Sequence, residues 1–148
     1  MDKFLVNNEE FFAEVEKVLA EGRRVTIPVK GFSMLPFIRG ERDLVELVPP
    51  GDLKVGDIVL FYDRRYVLHR IVSIDSNKLI IKGDGVINGT EHVTVDAVRA
   101  KVATIWRNGK KRVDPYSPRQ MFRLKIWNLL RPFHRIILAV YRRLPWNR

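Results

Sequence analysis

The sequence contains no cysteine. This absence excludes a disulfide framework, a thiolate metal site and a cysteine nucleophile, whatever compartment the protein occupies. Long apolar runs are absent as well, because nowhere do about 18 residues without charge follow one another, the usual minimum for a membrane-spanning helix. Residues 1–4, Met-Asp-Lys-Phe, lack the basic patch and the apolar stretch of a secretory signal. We therefore expect neither an export signal nor a transmembrane anchor.

Acidic residues are scarce in the last third of the chain. Residues 101–148 contain 13 of the 27 Lys and Arg residues but only one of the 17 Asp and Glu residues. This asymmetry predicts a near-neutral domain, residues 1–116, followed by a basic tail, residues 117–148. Basic tails commonly contact anionic surfaces such as lipid headgroups or nucleic acid, whereas the plain alternative is a solvated basic helix without a partner.

Hydrophobic periodicity predicts one helix ahead of a β-rich middle. In residues 8–22 apolar side chains recur every three or four positions, with glutamates between them and a glycine as the stop signal. Residues 24–113 contain short β-branched runs, and residues 63–65 and 75–77 have the composition of hairpin turns. The patterns predict a compact, mainly β (mixed α+β) domain with mostly antiparallel strands. Strands are expected at 25–29, 43–48, 57–61, 66–72, 78–82 and 98–106.

The basic tail returns to a helical period, and Pro132 is expected to kink or split the helix. We expect residues 119–146, with Trp127 and Trp146, to lie on an anionic membrane surface, and His134 to be solvated. The alternative is that the apolar stripe packs on the β domain or on a second copy. The predicted stripe consists of Phe122, Ile126, Leu129, Phe133, Ile137, Val140 and Leu144. Opposite it the pattern places Asn128, Arg131, Arg135 and Arg142.

Three segments of the middle region contain residues suited to nucleophilic catalysis. Ser33 lies in residues 31–36, Gly-Phe-Ser-Met-Leu-Pro, where glycine and proline constrain a turn that could display a hydroxyl. A serine nucleophile requires a base within hydrogen-bond reach and donors for the oxyanion, which the backbone amides of a turn can supply. His69 shares a strand face with branched apolar residues, and the resulting desolvation favours the neutral imidazole of a general base. Asp84 stands in a Gly-Asp-Gly turn and could orient that imidazole.

Each of these residues also has an ordinary structural interpretation: a turn serine, a satisfied strand histidine and a turn aspartate. In combination they resemble the signal peptidase I family. Residues 31–36 look like its nucleophile box, 56–59 (Gly-Asp-Ile-Val) like its Gly-Asp box, 68–72 (Leu-His-Arg-Ile-Val) like its base box, and 82–84 (Lys-Gly-Asp) like the box that follows. All four occur in the family's order, within about residues 29–106.

The resemblance is to the histidine-type branch, which includes endoplasmic-reticulum, archaeal and sporulation-type members. It implies the family's small β domain, shared with self-cleaving SOS repressors, and a catalytic set of Ser33, His69 and Asp84. It also implies hydrolysis of a leader or signal-type peptide after small residues. The chain departs from the pattern after Asp84, so that Glu91 or Asp96 could be the acid instead, and His92 could contact the same region.

The predicted function is thus that of a serine endopeptidase acting on a peptide or preprotein, peripheral to a membrane on its cytoplasmic side, or else cytoplasmic. Without an anchor, a specialised maturation protease is favoured over a housekeeping one. The first alternative is a catalytically silent module of the same fold that binds membrane or nucleic acid. A self-cleaving regulator is the other rival, but the chain has no Ala-Gly or Cys-Gly bond. No metal, cofactor or nucleic acid is expected, because metal-ligand spacings and phosphate loops are lacking.

Overall fold

The computed structural model describes residues 8–143. In this part of the chain an antiparallel sheet of eight strands is preceded by one helix and followed by two C-terminal helices. The helices are α1 (Asn8–Ala20), α2 (Pro118–Leu129) and α3 (His134–Arg143). The strands are β1 (Val25–Pro28), β2 (Leu44–Val48), β3 (Ile58–Tyr62), β4 (Tyr66–Asp75), β5 (Lys78–Lys82), β6 (Glu91–Thr94), β7 (Val98–Arg107) and β8 (Lys111–Val113). Short 3-10 turns occupy Val95–Ala97 and Arg131–Phe133.

The long strand β7 organises the sheet. Its first half pairs with β3 and its second half with β2, and the sheet order is β1-β2-β7-β3-β4-β5-β6, with β8 added to the end of β7. Consecutive strands β3, β4, β5 and β6 form a meander. Its first two hairpin turns contain Arg64 and Ser76 at positive φ, the backbone geometry of tight turns. The expected mixed α+β class, the hairpins at 63–65 and 75–77 and all six predicted strands are confirmed.

The core lies between the sheet and the helices. Val15 and Leu19 of α1 are buried, and Phe12 of the same helix stacks on Tyr66 of β4 with ring centroids 4.6 Å apart. The helix ends near Gly22, whose φ of 79° is the left-handed conformation of a glycine stop. Helix α1 thus covers one part of the sheet and supports the beginning of β4.

The tail is packed onto the same core. Ser117 caps α2 by accepting a hydrogen bond from the Gln120 amide, and Leu124, Trp127 and Leu138 are buried in the main core cluster. Just before α2, the Tyr116 hydroxyl accepts a hydrogen bond from the Ile58 amide at 3.0 Å and donates one to the Val102 carbonyl at 2.6 Å. The tail therefore begins at a junction fixed to two strands.

Two expectations about the tail are wrong. His134 is not solvated but 3% exposed, because its Nε2 donates to the Trp127 carbonyl at 2.6 Å and its ring stacks on the Trp127 indole. Ile137 is partly buried against the core, and Ile136 is exposed instead. The 3-10 turn containing Pro132 changes the helical register between α2 and α3, which accounts for the shift by one residue. Leu144 and Trp146 lie outside the described residues.

The helices are also too short or too polar to span a bilayer. Among residues 8–143 none has both the length and the apolar composition of a transmembrane helix.

Candidate active site

Ser33 lies on a turn between β1 and β2 that is fixed from both sides. Met34 and Leu35 are buried at 2% and 0% exposure, whereas Ser33 itself is half-buried. The turn is closed by hydrogen bonds from the amides of Leu35 and Ile38 to the carbonyls of Phe32 and Met34. Buried neighbours on the carboxyl side thus anchor a serine that keeps partial access to solvent.

His69 is a buried residue of β4, as the strand pattern predicted. It is 5% exposed, and its ring lies 6.3 Å from that of Phe61. Its Nδ1 is 3.0 Å from Oε1 of Glu91. A carboxylate can only accept, so Nδ1 donates this bond and the neutral ring keeps its free lone pair on Nε2. This is the tautomer that a general base acting through Nε2 requires.

The Nε2 side of His69 faces the Ser33 segment across Gly83. A Cβ atom added at Gly83 would lie 2.9 Å from His69 Nε2 and 2.5 Å from the Ser33 carbonyl oxygen. The same Ser33 carbonyl accepts a hydrogen bond from the Gly85 amide at 2.8 Å. The absence of a side chain at Gly83 therefore allows the serine turn and the imidazole to approach each other.

Asp84, expected to orient His69, makes a different set of contacts. Its carboxylate forms a two-point ion pair with Arg70, with Nε 2.9 Å from Oδ1 and Nη2 2.8 Å from Oδ2. Both side chains are about 95% buried, and Arg70 Nη1 donates to the Gly56 carbonyl at 2.9 Å. The physical reason is register: Arg70 pairs with Lys82 across β4 and β5, so that Asp84, two residues later, meets the guanidinium of Arg70.

Glu91, the open alternative to Asp84, is the acid that contacts His69. It begins β6, where it pairs with Ile81, which pairs in turn with Ile71 of β4. The other acid considered, Asp96, is exposed and accepts a hydrogen bond from Thr94. His92 is exposed too, next to Thr90. Of the three acids considered, the structure brings only Glu91 to the imidazole.

Four segments that are distant in the chain converge here. The Ser33 turn contacts Gly83 and Gly85, the Arg70 guanidinium joins Asp84 to Gly56, and His69 precedes Arg70 on the same strand. These are the four segments quoted for the resemblance. Specific hydrogen bonds and close backbone contacts hold these segments together.

A cleft of about 410 Å³ lies over Ser33 and His69. Its lining combines apolar and aromatic side chains, Phe32, Tyr66 and Val86 among them, with the polar or charged side chains of Lys30, Arg65 and Glu91. Burial raises the pKa of Tyr66 to about 12, helped by the hydrogen bond from its hydroxyl to Glu16, so this phenol stays protonated at neutral pH. A cleft with both apolar and polar lining can hold the backbone and side chains of a peptide segment.

The backbone amides of Ser33 and Met34 lie next to the candidate nucleophile. Leu35, Phe37 and Ile38 use their amides within the turn. For the amides of Ser33 and Met34, by contrast, residues 8–143 provide no hydrogen-bond acceptor, and both residues line the cleft. Unpaired amides next to a serine hydroxyl can stabilise an oxyanion.

Trp127 is a residue of the site region that the sequence did not indicate. Its indole Nε1 donates to the Asp84 carbonyl at 2.8 Å, so the tail supports the loop that separates Ser33 from His69. The composition of the tail predicts Trp127 at a membrane surface, whereas the structure buries its side chain at 5% exposure.

Comparison of the chain with protein-family models, with curated proteins and with solved structures gave no match. The resemblance to signal peptidase I therefore stays a prediction that depends on four short motifs.

Proposed function

We propose that the protein is a serine endopeptidase that cleaves a leader or signal-type peptide, with Ser33 as nucleophile and His69 as base. The observation that carries the proposal is the bond between Glu91 and His69 Nδ1, which leaves Nε2 as the acceptor on the side of the Ser33 turn. Glu91 takes the orienting role that the sequence assigned to Asp84.

The proposed reaction needs only these groups and water. Ser33 Oγ attacks the scissile carbonyl carbon while His69 Nε2 takes its proton, and the amides of Ser33 and Met34 stabilise the oxyanion. The imidazolium, stabilised by Glu91, then returns the proton to the leaving amine as the C–N bond breaks. Water hydrolyses the acyl-enzyme by the same path in reverse. The preference for small residues before the cleaved bond is carried over from the resemblance.

A serine-directed fluorophosphonate probe tests the nucleophile directly. We expect the full chain to gain one label by intact mass, Ser33→Ala to gain none, and His69→Ala to react at least about 100-fold more slowly because the general base is lost. Ser73→Ala and His92→Ala are the matched controls, since they remove a serine and a histidine outside the cleft. Absence of labelling in the folded wild type would favour a catalytically silent module of the same fold.

Leader cleavage is a separate question from serine reactivity. Peptides with small residues before an apolar-flanked bond should be cut by the wild type and not by Ser33→Ala, as detected by mass spectrometry. If the probe labels Ser33 but no such peptide is cut, the reactive serine stands and the proposal of leader processing is wrong.

Gly83→Ala should reduce labelling as well, although Gly83 carries no reactive group. The new Cβ would lie 2.5 Å from the Ser33 carbonyl and 2.9 Å from His69 Nε2, so the serine turn and the imidazole must move apart. Strain of this kind costs about 1–3 kcal/mol of stability. Gly109→Ala is the control, because its φ of 69° makes alanine unfavourable in a turn remote from the cleft. If both variants lose stability but label equally fast, the close approach at Gly83 has no role in catalysis.

A further inference from the structure

The two C-terminal helices expose a continuous row of large apolar side chains. We call it the exposed stripe, and it consists of Phe122, Ile126, Leu129, Phe133, Ile136 and Val140. Leu129 is 73% exposed and Ile136 65% exposed, values far from those of core residues. Within each helix the spacing of three or four residues keeps these side chains on one side, and Phe133 lies in the 3-10 turn between the helices. Exposed apolar side chains that are grouped in this way mark an interaction site on a protein surface.

The exposed stripe is not a core face that has failed to pack. The helices already bury a different face, with Leu124 and Trp127 from α2 and His134 and Leu138 from α3. In α2, Leu124 and Phe122 are separated by about 200° around the helix axis at 3.6 residues per turn. The two helices therefore have one apolar face toward the sheet and a second one toward solvent.

Positive charge borders the exposed stripe on both sides. The exposed basic residues of this region are Arg119, Arg123, Lys125, Arg131, Arg135, Arg142 and Arg143. Residues 118–143 contain no Asp or Glu. The helical period predicted the arginines opposite the stripe, but the opposite side is buried in the core and the arginines flank the stripe instead.

We infer that the exposed stripe lies in the surface of a bilayer that contains anionic lipids. Its apolar side chains would enter the boundary between headgroups and acyl chains, and the flanking arginines would contact phosphate groups. A second copy fits less well, because pairing two stripes would bring two basic borders together. Nucleic acid would pair with the arginines but leave the apolar side chains in water. Lipid binding through this stripe does not require peptidase activity.

Flotation of the full chain with vesicles tests this inference. We expect binding to vesicles of equal parts phosphatidylglycerol and phosphatidylcholine, and much weaker binding to phosphatidylcholine alone. Leu129→Gln/Ile136→Gln should weaken partitioning at least about tenfold, since two exposed apolar side chains no longer leave water. Val95→Gln, which changes an exposed valine outside the tail, should bind like the wild type.

The charge contribution has its own pair of variants. Arg123→Gln/Arg135→Gln should weaken binding to the anionic vesicles roughly fivefold for each arginine. Arg64→Gln/Lys78→Gln lowers the net charge equally, but in the β3–β4 turn and at the start of β5, and should bind like the wild type. Equal binding to neutral and anionic vesicles, or equal loss in test and control variants, would overturn the inference. Absence of vesicle binding would overturn it as well. A concentration-dependent dimer in sedimentation velocity would then assign the stripe to a second copy.

Discussion

Glu91→Gln is expected to slow fluorophosphonate labelling of Ser33 by about 10³- to 10⁴-fold, the loss seen when the orienting carboxylate of a serine triad becomes an amide. The carboxylate accepts the Nδ1 proton of His69, and in the proposed mechanism it stabilises the imidazolium. A glutamine amide can donate to Nδ1 instead, which moves the ring proton to Nε2 and removes the acceptor that Ser33 needs. The rate of labelling by intact mass measures the effect.

Asp84→Asn is the comparison that separates the two candidate acids. It breaks the Arg70 pair and leaves the His69–Glu91 bond in place, so we expect lower stability but labelling within a small factor of wild type in the folded protein. Glu91 is partly exposed at 29%, so its amide variant should melt close to wild type. Fast labelling of Glu91→Gln together with slow labelling of folded Asp84→Asn would return the orienting role to Asp84.

Arg70→Met is expected to cost about 3–5 kcal/mol of unfolding free energy, because it leaves the Asp84 carboxylate buried without its counterion. It also removes the donor to the Gly56 carbonyl and the guanidinium over the Phe37 ring, 5.3 Å from its centroid. For a domain whose total stability is about 5–15 kcal/mol, this is a large share. Urea denaturation followed by circular dichroism measures it.

A surface pair provides the control for Arg70. Lys17 and Glu14 are 3.2 Å apart on α1 with side chains 75% and 67% exposed, and Lys17→Met should change stability by no more than about 0.5 kcal/mol. The double variant Arg70→Met/Asp84→Leu should recover part of the loss, since no charge is then left unpaired. Equal effects of Arg70→Met and Lys17→Met would contradict the burial of the Arg70–Asp84 pair.

The sequence predicted most of the sheet because its central strands contain alternating or continuous apolar runs. It missed β6 and β8, which have four and three residues. Both are edge strands with few or no buried side chains, so they leave no apolar pattern to detect. Helical periodicity likewise predicted both tail helices and the break at Pro132. It could not decide which side packs on the sheet, since two sides of these helices are apolar.

Periodicity also does not show which strands pair, and this explains why the acid next to His69 could not be identified from the sequence. The Ser33 and His69 segments are fixed by their own local turn and strand, so the local structure around both residues was predictable from the sequence. The acid depends on which strands lie side by side and in which register. Glu91 reaches His69 through β6, a strand that was not predicted, while Asp84 meets Arg70 through the pairing of β4 with β5. Pairings across a sheet are tertiary information that one sequence does not contain.

The hydrogen bond from Trp127 to the Asp84 carbonyl connects the tail to the loop beside the cleft. Trp127 lies on the buried side of α2, opposite the exposed stripe, and the Asp84 loop touches the Ser33 turn through Gly85. If a bilayer favours one position of α2, this contact transmits that preference to the loop. Thermodynamic linkage then requires reciprocity, so a ligand bound reversibly in the cleft would change vesicle affinity by the factor by which lipid changes the affinity for that ligand.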